Sequence, residues 1–111
     1  MNHNTLTATL FGPAVLAWAL CSAGAAIAVD QQNLYTQSLA ATCANCHGTQ
    51  GKGVSDGSVP RLAGLKADYI EAQMKAFKSG ERQATIMHQL SKGYSEEQIR
   101  LLAAYFASQK P

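Results

Sequence analysis

The chain has 111 residues, nine basic against seven acidic, 14% of them charged and 47% hydrophobic. That length gives room for one domain, and the balance describes a globular chain rather than a disordered one. A formal net charge of +2 is too small to name a partner, and no nucleic-acid partner is expected.

All the Lys, Arg, Asp and Glu lie from residue 29 onward. The uncharged start, with "LFGPAVLAWAL" as an apolar segment and "CSAGAAIA" as a small-residue run, reads as an export signal. Ala26-Ile27-Ala28 fits the A-x-A cleavage pattern, so residues 1–28 are assigned as a cleaved leader and 29–111 as the mature domain. The n-region departs from the pattern in lacking Lys and Arg. Leu6 to Val29 is long enough for a membrane anchor, but Gly12, Pro13, Ser22 and Gly24 dilute it. A lipoprotein signal at Cys21 is disfavoured by Leu20 before it. No stable membrane insertion is expected once the leader is gone.

A helix is predicted to follow Asp30 as N-cap and run through "QQNLYTQSLAATC", with Tyr35, Leu39 and Cys43 on one face. It ends in "TCANCHGTQGKG", where Cys43, Cys46 and His47 fall within five residues. Zinc needs four ligands, and the mature domain offers only His88 beyond these three. A thioredoxin-type pair expects a preceding strand. C-x-x-C-H at a helix end is the pattern of covalent c-type haem: each thiol adds to one vinyl group, and the adjacent His lies under the iron. Gly48, Gly51, Gly53 and Gly57 then let the backbone turn out of the helix. A phosphate loop is disfavoured, since G-x-x-x-x-G-K-[ST] is absent.

The second predicted helix covers Ala67 to Ser79, with Gly80 stopping it and Ile70, Met74 and Phe77 recurring at helical spacing. That spacing makes Met74 a core residue. Met87 lies between helical stretches and His88 follows it. The last helix begins at Ser95, with Gln98 closing a capping box and Glu96 and Glu97 in the first turn. Its buried stripe is Ile99, Leu102, Ala103 and Phe106. No run alternates as a strand would, and no repeat suggests a second haem domain.

Val29 to Pro111 resembles the class I c-type cytochromes. The resemblance implies a small all-α fold wrapped around one covalent haem c, held by Cys43 and Cys46. His47 is then the proximal iron ligand and Met87 the distal one, with a bis-His site through His88 as the rival. It also implies that the Pro60 carbonyl accepts the His47 N–H. Arg61 either reaches a haem propionate or stands solvated.

The segment "YIEAQMKAFKSGERQATIMHQLSKGYSEEQIRLLAAYFASQK" looks like the cytochrome subunit of flavocytochrome c sulfide dehydrogenase, in a single-haem version. That likeness implies a periplasmic subunit that takes electrons from a flavoprotein and passes them to a downstream redox acceptor, with no catalysis by this chain alone. A freely diffusing monohaem carrier is the alternative. A haem sensor or peroxidase with a displaceable sixth ligand is a third class.

Overall fold

The computed structural model describes the backbone from residue 14 to the C-terminus, and side chains from Asp30. The start of the predicted leader lies outside the described residues, as do the side chains of its remainder. Four helices follow in order: α1 Ala14–His47, α2 Ala67–Ser79, α3 Met87–Leu90 and α4 Glu96–Ser108. Short 3-10 turns lie at Thr49–Gly51 and Ser91–Gly93. Among the described residues there is no strand, and no helix is long and apolar enough to cross a membrane.

The chain divides into two units, Met1–Gln32 and Asn33–Pro111. From Ala14, the first is the early part of α1. The second holds the rest of α1 and every other element.

Asp30 is not a cap. Helix α1 passes through it without a break. An N-cap needs non-helical backbone before the first turn, and the alanine-rich stretch "AGAAIAV" ahead of Asp30 propagates helix instead.

Helix α2 keeps the predicted bounds, and local chemistry explains why. Gly80 takes the left-handed conformation, φ 85°, and its N–H donates to the Phe77 carbonyl. Arg82 N–H donates to the Ala76 carbonyl at 3.0 Å, occupying another carbonyl that the helix end would leave open. At α4 the capping box is complete. Gln98 N–H donates to Ser95 Oγ at 3.1 Å, and Ser95 N–H donates to Gln98 Oε1 at 2.9 Å. Such a cap contributes about 1 kcal/mol.

The core of the second unit is small. Ala40, Ile70, Leu102, Ala103 and Phe106 form its buried cluster, with Leu39, Cys43, Leu62, Leu65 and Met74 packed against it. All four residues of the predicted α4 stripe are buried. Tyr35 is exposed, yet its hydroxyl accepts from Gln98 Nε2 at 2.8 Å and ties α1 to α4. Lys78 Nζ donates to the Tyr94 carbonyl at 2.6 Å, and lies 3.4 Å from Glu96, joining α2 to the start of α4.

Between α1 and α2 the chain folds back on itself. Gly53 N–H donates to the His47 carbonyl at 2.7 Å, and the Gly51 carbonyl accepts from Leu62 and Ala63 at 2.8 and 2.9 Å. Two glycines make this possible. Gly48 has φ 78°, and a Cβ there would stand 2.0 Å from the Gly53 carbonyl oxygen. At Gly51, φ 73°, a Cβ would meet the Phe106 ring at 2.7 Å. Gly48→Ala therefore combines backbone strain with a clash against main chain that has no side-chain rotamer to yield. The expected loss is roughly 2–4 kcal/mol, read as a lowered denaturant midpoint at unchanged slope.

Candidate functional site

A cavity of about 410 Å³ opens in the second unit, bounded by α1, the 59–65 loop, α2, the α2–α3 connection and α4. That is the size range of a small-molecule or cofactor site. Its walls are mostly apolar: Leu62, Leu65, Ile70, Phe77, Leu102 and Phe106 among them. Cys43, Cys46 and His47 all line it, so the end of α1 delivers both thiols and the imidazole to one space.

His47 is buried, at 8% exposure. Its Nδ1 lies 2.7 Å from the Pro60 carbonyl oxygen. A carbonyl can only accept, so Nδ1 carries the proton and donates it. The Nε2 lone pair is then left for a metal, and the donated bond makes the imidazole a better ligand. The loop hydrogen bonds from Gly51 and Gly53 hold Pro60 in reach of the ring.

The two cysteines are free thiols in different settings: Cys43 half-buried, Cys46 exposed. Burial pushes the Cys43 thiol up, opposed by hydrogen bonding from Thr42, with the neighbouring Cys46 also raising it and Tyr94 lowering it. Thr42 Oγ1 and Tyr94 Oη lie 2.8 Å apart, and Thr42 Oγ1 is 3.9 Å from Cys43 Sγ. This hydroxyl pair beside Cys43 joins residues 52 apart in sequence, which no local pattern could reveal.

Both methionines of the described chain reach the cavity. Met87 stands at the first position of α3, half-buried. Fully buried Ser91 donates from Oγ to the Met87 carbonyl at 2.7 Å, which fixes that turn. Met74 also lines the cavity from the middle of α2, while packing against the core cluster. His88 is not a lining residue; its Nδ1 is buried without a hydrogen-bond partner among the described residues.

Pro60 lines the cavity, and Arg61 does not. Arg61 is exposed, and its Cβ faces Gly53, 3.7 Å from where a side chain on that glycine would begin. Arg82 lines the cavity instead, from just beyond the turn that ends α2. The only sequence signal for it was an Arg placed two residues after a helix-stopping glycine and five before Met87. Tyr69, Gln73 and Tyr94 are further lining residues that the sequence patterns did not single out.

The family model for cytochrome c matches residues 32–110. The chain belongs to the cytochrome c family. Among curated relatives it is 41% identical over 70 residues to the cytochrome subunit of sulfide dehydrogenase from Chlorobaculum tepidum, covering 63% of this chain and 62% of that one. It is 40% identical over 72 residues to cytochrome c-554(548) of Halomonas halodenitrificans, covering 62% of this chain and 86% of the relative. Among solved structures, the cytochrome c4 of Acidithiobacillus ferrooxidans matches with TM-score 0.56 and 41% identity, over 60% of this chain and 38% of that one. The chain therefore spans most of one relative and less than two thirds of the other two.

The all-α class I cytochrome c fold and a covalently bound haem c follow from this membership. The residues present fit the group. Two thiols and a buried imidazole with its Nδ1 proton committed share one apolar cavity. Among the described residues no three His, Cys, Asp or Glu side chains form a metal-binding group, whereas zinc takes four ligands. A haem c of this kind supplies one-electron transfer.

Proposed function

We propose that this cytochrome is the electron-accepting subunit of a periplasmic flavoprotein complex that oxidises sulfide. The observation that carries the reading is the 41% identity to the cytochrome subunit of a sulfide dehydrogenase. In this reading residues 1–28 are the export leader, removed at Ala28, and haem is attached after export.

Each residue of the site has a task. Cys43 and Cys46 hold the macrocycle through thioethers. His47 donates Nε2 to the iron, oriented by Pro60. Met87 supplies a thioether sulfur as sixth ligand, which favours the reduced state and closes the iron to small ligands. The apolar walls keep water from the redox centre and hold the two oxidation states in one geometry.

No residue of the mature domain handles sulfide. Once both thiols are tied, no cysteine is left to form a persulfide. Oxidation of sulfide to the zero-valent level releases two electrons, which suits a flavin on a partner chain. This cytochrome takes them singly, in two successive reductions. The isolated chain is thus expected to be reducible yet without sulfide dehydrogenase turnover.

One observation favours a second reading. The chain spans 86% of cytochrome c-554(548), a nearly whole-length match, against 62% of the sulfide dehydrogenase subunit. That relative is named only as a cytochrome, with no partner enzyme in its name, which is the ground for a freely diffusing carrier as the second reading. Purification from the native source separates the two. Co-purification of a flavoprotein that reduces the cytochrome faster than generic donors do supports the subunit. A lone monomer with no such donor replaces it with the carrier.

A further inference from the structure

We infer that Arg82, and not Arg61, is the residue that positions a haem propionate and raises the reduction potential. The inference rests on the haem c site described above. Of the residues lining the cavity, Arg82 is the one Lys or Arg, and no Asp or Glu joins it. A guanidinium is charged at any working pH. Among the described residues it forms no ion pair with a carboxylate.

The side chain is nonetheless held in place. Its guanidinium lies over the Phe77 ring, 4.6 Å from the centroid, and one terminal nitrogen donates to Gln73 Oε1. Phe77 and Gln73 both line the cavity as well. A cation–π contact and an amide acceptor orient the fork, but neither neutralises it. A fixed cation at the edge of an apolar cavity calls for an anion on the occupant.

Haem c carries two anionic groups, its propionates. They sit on the side of the porphyrin across from the vinyl-derived carbons that the thioethers use. The thiols come from α1, and Arg82 comes from the α2–α3 connection, a separate wall of the cavity. An Arg–carboxylate pair is the strong, directional match for such a group. A cation held near the iron is less favourable in the ferric state, where the centre carries one more positive charge, than in the ferrous state. Removing the cation therefore favours ferric iron.

The test is the reduction potential of haem-loaded variants. Arg82→Met removes the charge and leaves a flexible side chain able to stay packed over Phe77. Arg82→Lys keeps the charge, and Arg61→Gln is the control. Arg82→Met is expected to lower the reduction equilibrium constant up to about tenfold, about 59 mV for a one-electron couple. Arg82→Lys recovers at least half of that shift, and Arg61→Gln leaves the potential unchanged. A loss of packing alone would not be rescued by lysine, so the rescue separates charge from structure.

An unchanged potential in haem-loaded Arg82→Met overturns the assignment, as does a fall in Arg61→Gln alone. Failure of Arg82→Met to take up haem while Arg82→Lys takes it up supports the charge contact with the propionate, since only the cation is restored. Haem that does not travel with the wild-type polypeptide on a denaturing gel would instead sink the haem assignment beneath it.

Discussion

Met87→Ala is expected to remove the weak sulfur-to-iron absorption band at the red edge of the visible spectrum. It lowers the reduction potential by on the order of 100 mV, a modest part of the ~0.8 V that axial ligands span. Met74→Leu leaves both in place. The contrast is informative because the two thioethers share one cavity. Met74 packs from the middle of α2 against the buried core cluster, so leucine replaces it at near-constant volume. Met87 opens α3, and the Ser91 hydroxyl pins its carbonyl. A half-buried side chain at a fixed helix start, outside the core cluster, can hold a ligand sulfur without giving up core. Visible spectra and redox titration of the two variants check this. Loss of the band in Met74→Leu and its survival in Met87→Ala would reverse the roles.

The second large effect concerns folding. Cys43→Ser with Cys46→Ser is expected to yield a chain that keeps little helix, seen by far-ultraviolet circular dichroism. The buried cluster includes two alanines among its five residues, and a cavity of about 410 Å³ adjoins it. A domain this small struggles to bury enough apolar surface on its own. Several hundred Å² of apolar macrocycle burial is worth on the order of 10 kcal/mol at about 25 cal/mol per Å². That rivals the entire stability of a small domain. A haem-free double variant with native helicity and a cooperative thermal transition would contradict the argument.

What could be read in the sequence was local. Cys43, Cys46 and His47 needed only their spacing at a helix end. Helix α4 announced itself through Ser95 and Gln98, and α2 through Gly80 in the left-handed position. The four glycines after His47 all have positive φ. The Pro60 hydrogen bond to His47 came from family resemblance, not from spacing, since it joins residues 13 apart across a loop.

What the sequence hid depends on chain return. Arg61 and Arg82 are equivalent as letters, and only the fold puts one outside the cavity and the other on its wall. Met74 obeys helical spacing and still reaches the site, because one face of α2 serves both core and cavity. Asp30 carries a capping side chain, but a cap also requires that the helix not already be running.

Every role above depends on one haem being fixed to this chain by both cysteines of the Cys43–His47 segment. Mass analysis of peptides from the natively purified protein tests it most directly. The expected result is a peptide containing Cys43, Cys46 and His47 with one haem added, and neither thiol open to alkylation. Both thiols alkylated in that peptide, with haem extracting into acidified organic solvent, would contradict it.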